Sequence, residues 1–133
     1  MTISDLRNHY NNLVLLEEAE LAYSDIISIQ AIDFNGSESR SSGVPRPTEV
    51  KTILAEKQSR IISELQAEIE AFNREELQPF LSTIDDAHLK VYNCLWLRYI
   101  SGYRWDEIAS FFKEGADASK RRCYRYLREH LEP

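Results

Sequence analysis

Between Ser119 and Arg128 the chain places five cations, Lys120, Arg121, Arg122, Arg125 and Arg128, and no carboxylate. A guanidinium can pair bidentately with a guanine edge or with phosphate oxygens. The chemistry such a cluster offers is therefore recognition of a polyanion. On a helical wheel with Cys123 at the inner pole, Tyr126, Leu127, His130 and Leu131 gather with it on one side. Arg121, Arg125 and Arg128 point the opposite way, with Arg122 and Tyr124 on the flanks. A solvated basic face on a structural helix would have the same pattern, so the elements ahead of this helix decide between the two readings.

Other chemistries have little to stand on. His9, His88 and His130 fall on three different predicted helices without a carboxylate or cysteine at ligand spacing, so no metal site is expected. No glycine-rich phosphate loop or nucleophile motif occurs, and the many glutamates between 56 and 76 read as a solvated helix face. Catalytic residues, cofactors and a small-molecule substrate are accordingly not expected. Cys94 and Cys123 sit in predicted amphipathic helices and read as reduced core residues of a cytoplasmic protein.

Three elements would position the basic helix. A helix carrying Leu89, Tyr92, Leu95, Trp96 and Tyr99, capped by Asp85 or Asp86, should end at Gly102, which can adopt the left-handed conformation of a helix C-terminus. Trp96 and Tyr99 read as core or near-core aromatics. A short helix should run from about Trp105 to Phe112, with Asp106 and Glu107 complementing its dipole and Ile108, Ala109 and Phe112 on one face. Helix, corner, short helix, turn and basic helix is the order of a helix-turn-helix DNA reader. In that arrangement Ser119 would cap the recognition helix and orient its amides toward a phosphate. Arg121 and Arg125 would face the groove, with Tyr124 beside them, while Lys120, Arg122 and Arg128 would hold the backbone. Arg104 would be a further phosphate contact, and Arg98 either another or the partner of an acid in the N-terminal helices.

The preceding 78 residues predict a long antiparallel helical hairpin, giving an all-α chain divided into 1–78 and 79–133. One helix is predicted over about 2–31, capped by Thr2 or Ser4, and another over 48–77, with Pro79 ending or kinking it. Residues 33–47, with two glycines, two prolines and four serines, have the composition of a loop that is either mobile or functional. Neither apolar stripe covers a large core, so the hairpin must also pack on the C-terminal module or on a second copy, and a homodimer is the favoured expectation. Residues 1–81 carry 7 Lys/Arg against 14 Asp/Glu, and residues 82–133 carry 9 against 8. Positive charge focused on one helix of a chain with net charge −6 suits a localised DNA contact on an acidic body. No apolar stretch is long enough to span a membrane.

The run Leu97-Arg98-Tyr99-Ile100-Ser101-Gly102-Tyr103-Arg104-Trp105-Asp106-Glu107-Ile108-Ala109 resembles region 4 of the sigma-70 family as found in small phage-encoded regulators. Ser119 to Arg125 resembles the start of their recognition helix, and Ser41-Ser42-Gly43 is similar to a loop in one group from phages and prophages of Gram-positive bacteria. The likeness covers the chain from about Ser39 to Leu131. It implies a sigma-region-4-like helix-turn-helix and, as in the ArpU-like and RinA-like late regulators, control of phage late genes inside a bacterial host. The family's turn is a glycine, one residue and the capping serine. Here Lys113 to Ala118 separate Phe112 from Ser119, which implies a changed docking angle, and Cys123 stands where a valine is usual. Double-stranded DNA is the expected partner. The rival reading is a protein-binding module that docks on bacterial RNA polymerase or another regulator.

Overall fold

The computed structural model describes the backbone of residues 1–36 and 47–133, and every element among them is helical. The first, α1 (Ile3–Gly36), opens on a reciprocal cap. Thr2 Oγ1 accepts from the Asp5 N–H at 3.1 Å, and Asp5 Oδ2 accepts from the Thr2 N–H at 2.8 Å, which satisfies two otherwise orphaned donors. The helix continues past the predicted end near Ala31, so Asp33 to Gly36 are helical and not loop. The rest of the predicted loop, including Ser41-Ser42-Gly43, lies outside the described residues, as does the side chain of Thr48.

The second helix, α2 (Pro47–Phe72), starts on a proline, whose fixed φ and missing N–H suit a first helical position. Of the two outcomes expected at Pro79, an end or a kink, the helical path does not end there but is interrupted just ahead of it. The chain passes through a π-helical turn, Asn73–Leu77, into α3 (Gln78–Leu81), with Pro79 in its first turn. The Gln78 N–H reaches back to the Asn73 carbonyl, the wider five-residue step of a π turn. Widening the ladder just before the proline accommodates a ring that would clash in a regular helix interior. It also leaves Leu77 and Leu81 almost fully buried.

A single 3₁₀ turn, Asp86–His88, leads into α4 (Leu89–Tyr99), followed by α5 (Trp105–Phe112) and α6 (Ala116–His130). Asp85 caps the 3₁₀ turn in extended backbone conformation, and its carboxylate lies 2.7 Å from His88 Nδ1. At the α4–α5 corner Gly102 has φ +78°, as expected, and the Tyr103 N–H closes on the Leu97 carbonyl at 3.0 Å. A Cβ at Gly102 would meet only the Leu13 side chain at 3.9 Å, an ordinary contact. The cost of Gly102→Ala is then backbone strain of about 1–2 kcal/mol less the entropy glycine loses on folding, a net loss of about 1 kcal/mol. Thermal unfolding of the variant should show Tm lower by a few degrees, with helicity unchanged.

By packing, the chain divides into Met1–Val14 with Glu68–Pro133, and Leu15–Ala67. The division therefore does not follow the expected 78/79 boundary. The reason is visible in the core of the first unit, where Leu6 of α1 and Leu77 of the π turn join Val91, Leu95, Ile108 and Leu127. The helix-turn-helix segment alone is too small to close its own core. The turns at the start of α1 and the end of the second helical path complete it, running antiparallel to each other with His9 stacked on Phe72 at 4.5 Å. In the second unit Ala19 is buried, while Leu15, Leu21, Ile27, Val50, Ile53 and Leu54 are exposed.

Candidate nucleic-acid interface

The turn between α5 and α6 is shorter than the sequence suggested. Lys113 ends α5 in the left-handed conformation at φ 54°, Glu114 follows, and Gly115 caps α6. Ala116, Asp117 and Ala118 form the first turn of α6, so the linker is Lys113, Glu114 and Gly115, a length usual for a helix-turn-helix. The changed docking angle implied by a six-residue separation has no basis in this backbone.

That shift in start point reassigns Ser119. It is not the cap but an interior residue of α6, fully buried, and its Oγ donates to Glu114 Oε1 at 2.5 Å. A phosphate cannot reach it. Arg122, expected to hold the DNA backbone, is also occupied. Its two terminal nitrogens donate to the two Glu114 oxygens at 2.7 and 2.8 Å, a bidentate pair with little freedom to leave. Lys90 of α4 completes the cluster at 3.3 Å from Glu114 Oε2. One carboxylate in the turn thus binds α4, the turn and α6 together. Arg122 first, then Ser119, hold the Glu114 carboxyl well below the usual carboxylate range. Sequence periodicity carries no trace of this clamp, because its members are joined by the turn and not by a helical repeat.

Along α6, Lys120, Arg121, Arg125 and Arg128 are exposed, and none pairs with a carboxylate among the described residues. The predicted outward stripe of Arg121, Arg125 and Arg128 is therefore exposed, while Arg122, expected on the flank, is taken up by Glu114. The inner face of α6 is as expected at Cys123, Tyr126 and Leu127, which are buried, whereas His130, expected on the same side, is exposed. The neighbouring Cys94 first, then burial, pushes the Cys123 thiol up. Both cysteines are free and buried, which agrees with a packing role.

Tyr124 is half-buried, with its ring tilted against Trp105 at 6.0 Å, so it supports α5 against α6 at the edge of the basic stripe. Arg104 is exposed at the N-cap of α5, where its Nε lies 3.2 Å from Glu107 and 3.5 Å from Asp106. The Glu107 carboxylate also accepts the Arg104 backbone N–H at 3.1 Å, closing the first turn of α5. Arg104 is thus a neutralised helix-start residue beside the stripe. Arg98 takes neither expected role. Its guanidinium lies 3.4 Å from the Tyr10 ring centre and 5.0 Å from that of Trp105, and it donates to the Tyr103 carbonyl at 3.3 Å. Cation–π contact substitutes for a carboxylate here.

Tyr99 is buried as expected, and burial first, then Tyr124, raises its hydroxyl pKa. Trp96 is not in the core: it is 37% exposed and stacks on Tyr92 with centroids 6.2 Å apart. His9 Nε2 lies 2.8 Å from the Tyr99 carbonyl at the end of α4, and burial lowers its pKa, favouring the neutral ring. His130 stacks on Tyr126 at 4.0 Å. No cluster of three metal-ligating side chains occurs among the described residues, and no helix among them is long and apolar enough to cross a membrane. No protein-family model, curated protein or solved structure matches the chain.

Proposed function

We propose that the chain is a sequence-specific transcriptional regulator of double-stranded DNA, of the phage or prophage kind, with α6 as its recognition helix. One observation supports this reading above the rest. Four exposed cations without carboxylate partners, three of them (Arg121, Arg125 and Arg128) opposite Cys123, stand on a helix that Glu114 locks to α4 and the turn. Free positive charge on a rigidly mounted helix is what phosphate neutralisation and base reading both require. The protein then needs no cofactor, performs no catalysis and works in the bacterial cytoplasm. A homodimer through Leu15–Ala67, where apolar side chains are exposed, would present two recognition helices to two half-sites.

The test is retention of duplex DNA as salt is raised. Affinity should fall steeply with salt in the wild type. Arg128→Ala should weaken binding to all duplexes alike and lower the log–log salt slope by about one, because a single phosphate contact is lost. Retention that does not respond to salt contradicts the proposal.

A second reading, docking on RNA polymerase or another regulator, is favoured by a separate feature. Leu89, Tyr92 and Trp96 share one face of α4, with Leu89 56% and Trp96 37% exposed. Salt-tolerant capture of a purified polymerase subunit, lost on Trp96→Ala, would support that reading.

A further inference from the structure

The outer stripe of α6 is not purely basic. Asp117, in the first turn, lies four residues before Arg121 and eight before Arg125, so the three project along one side of the helix. Asp117 and Arg121 are both exposed, and neither forms an ion pair among the described residues, although a pair at this spacing could close. A carboxylate on a face that meets phosphates is repelled by them. It is compatible with tight binding where it meets a donor, and the major groove offers one in the amino group of cytosine. Adenine also carries an amino group there, but its N7 lone pair lies beside it and faces a carboxylate unfavourably. The N-terminal residues of a recognition helix are the ones that contact base edges.

We infer that Asp117 is a specificity-determining residue that accepts a hydrogen bond from a cytosine amino group, in register with a guanine read by Arg121. The inference rests on the DNA-binding reading of α6. The rise between residues four apart in a helix is about 6 Å, against about 3.4 Å per base pair. The cytosine should therefore lie about two base pairs or fewer from the guanine, at a fixed offset. Arginine and aspartate on one stripe demand opposite groups, an acceptor pair and a donor, so the stripe specifies composition as well as charge.

The experiment is selection from a random duplex pool by the full chain, carried out in parallel with wild type, Asp117→Ala and Asp117→Asn. Wild type should enrich a motif with cytosine at that offset. Asp117→Ala should lose the preference at that position alone, a fall of roughly 5- to 150-fold in discrimination, the range one good base contact supplies. Asp117→Asn should exchange cytosine for adenine, since an asparagine amide pairs bidentately with adenine. Circular dichroism should show all three proteins equally helical. An Asp117→Ala protein that keeps the wild-type motif, or that binds every sequence more tightly by the same factor, overturns the inference and leaves DNA binding standing. A pool that no variant enriches overturns the DNA-binding reading itself.

Discussion

Replacing Arg121 and Arg125 together by alanine should abolish sequence-selective binding while the fold survives. Both side chains are exposed on α6 and make no ion pair among the described residues, so the substitution removes no internal ion pair. Alanine is the best helix former, and exposed substitutions change stability by about 0.5 kcal/mol or less. Each bidentate guanine contact is worth about 1–3 kcal/mol of discrimination, so losing two should erase most of the gap between specific and non-specific sites. The check is competition between a selected duplex and a scrambled one, read beside the melting curve. Unchanged competition in a protein that melts normally would remove the arginines from the interface.

The second large effect is on stability, at Glu114. Glu114→Ala leaves Arg122, 29% exposed, without its bidentate partner, and also leaves the buried Ser119 hydroxyl without an acceptor. Removing one member of a well-buried pair costs about 3–5 kcal/mol, and partial exposure here brings the expectation to about 2–4 kcal/mol. Denaturant titration should show that loss. Glu114→Gln, which keeps an acceptor for Ser119, should lose less. Acid sensitivity provides an independent reading. The carboxyl is held below its ordinary value of 4.5, first by Arg122. A group with a depressed folded-state pKa contributes stability that is complete above its unfolded value and is lost as pH falls below it. Wild-type Tm should therefore drop more steeply than that of Glu114→Gln as pH is lowered from about 5 toward 3. Parallel curves would show that the ion pair contributes nothing.

Much of the architecture was legible because it is encoded in local periodicity. Gly102 marks the corner, Trp105–Phe112 carries its own amphipathic pattern, and the inner face of α6 follows from the placement of Cys123 and Leu127. Errors arose where tertiary contacts override local signals. Ser119 looks like a cap because serine favours that position, yet Gly115 in extended conformation starts the helix and the hydroxyl is used by Glu114. Arg122 looks as available as its neighbours, and only the bidentate pair across the turn distinguishes it. Pro79 allows either an end or a kink, and only the structure shows the helical path continuing through a π turn ahead of it. The 78/79 boundary rests on the expected helix end at Pro79, whereas the core is completed by Leu6 and Leu77 from the other side of it.

The central claim, that α6 is the surface that meets DNA, is tested most directly by following the backbone amides of the full chain while a duplex recovered by selection is added. Chemical-shift changes should concentrate on residues 116–128, be largest around Asp117, Arg121 and Arg125, and shrink as salt rises. Changes confined to Leu89–Trp96 of α4, or none in α6 at saturating duplex, would contradict it.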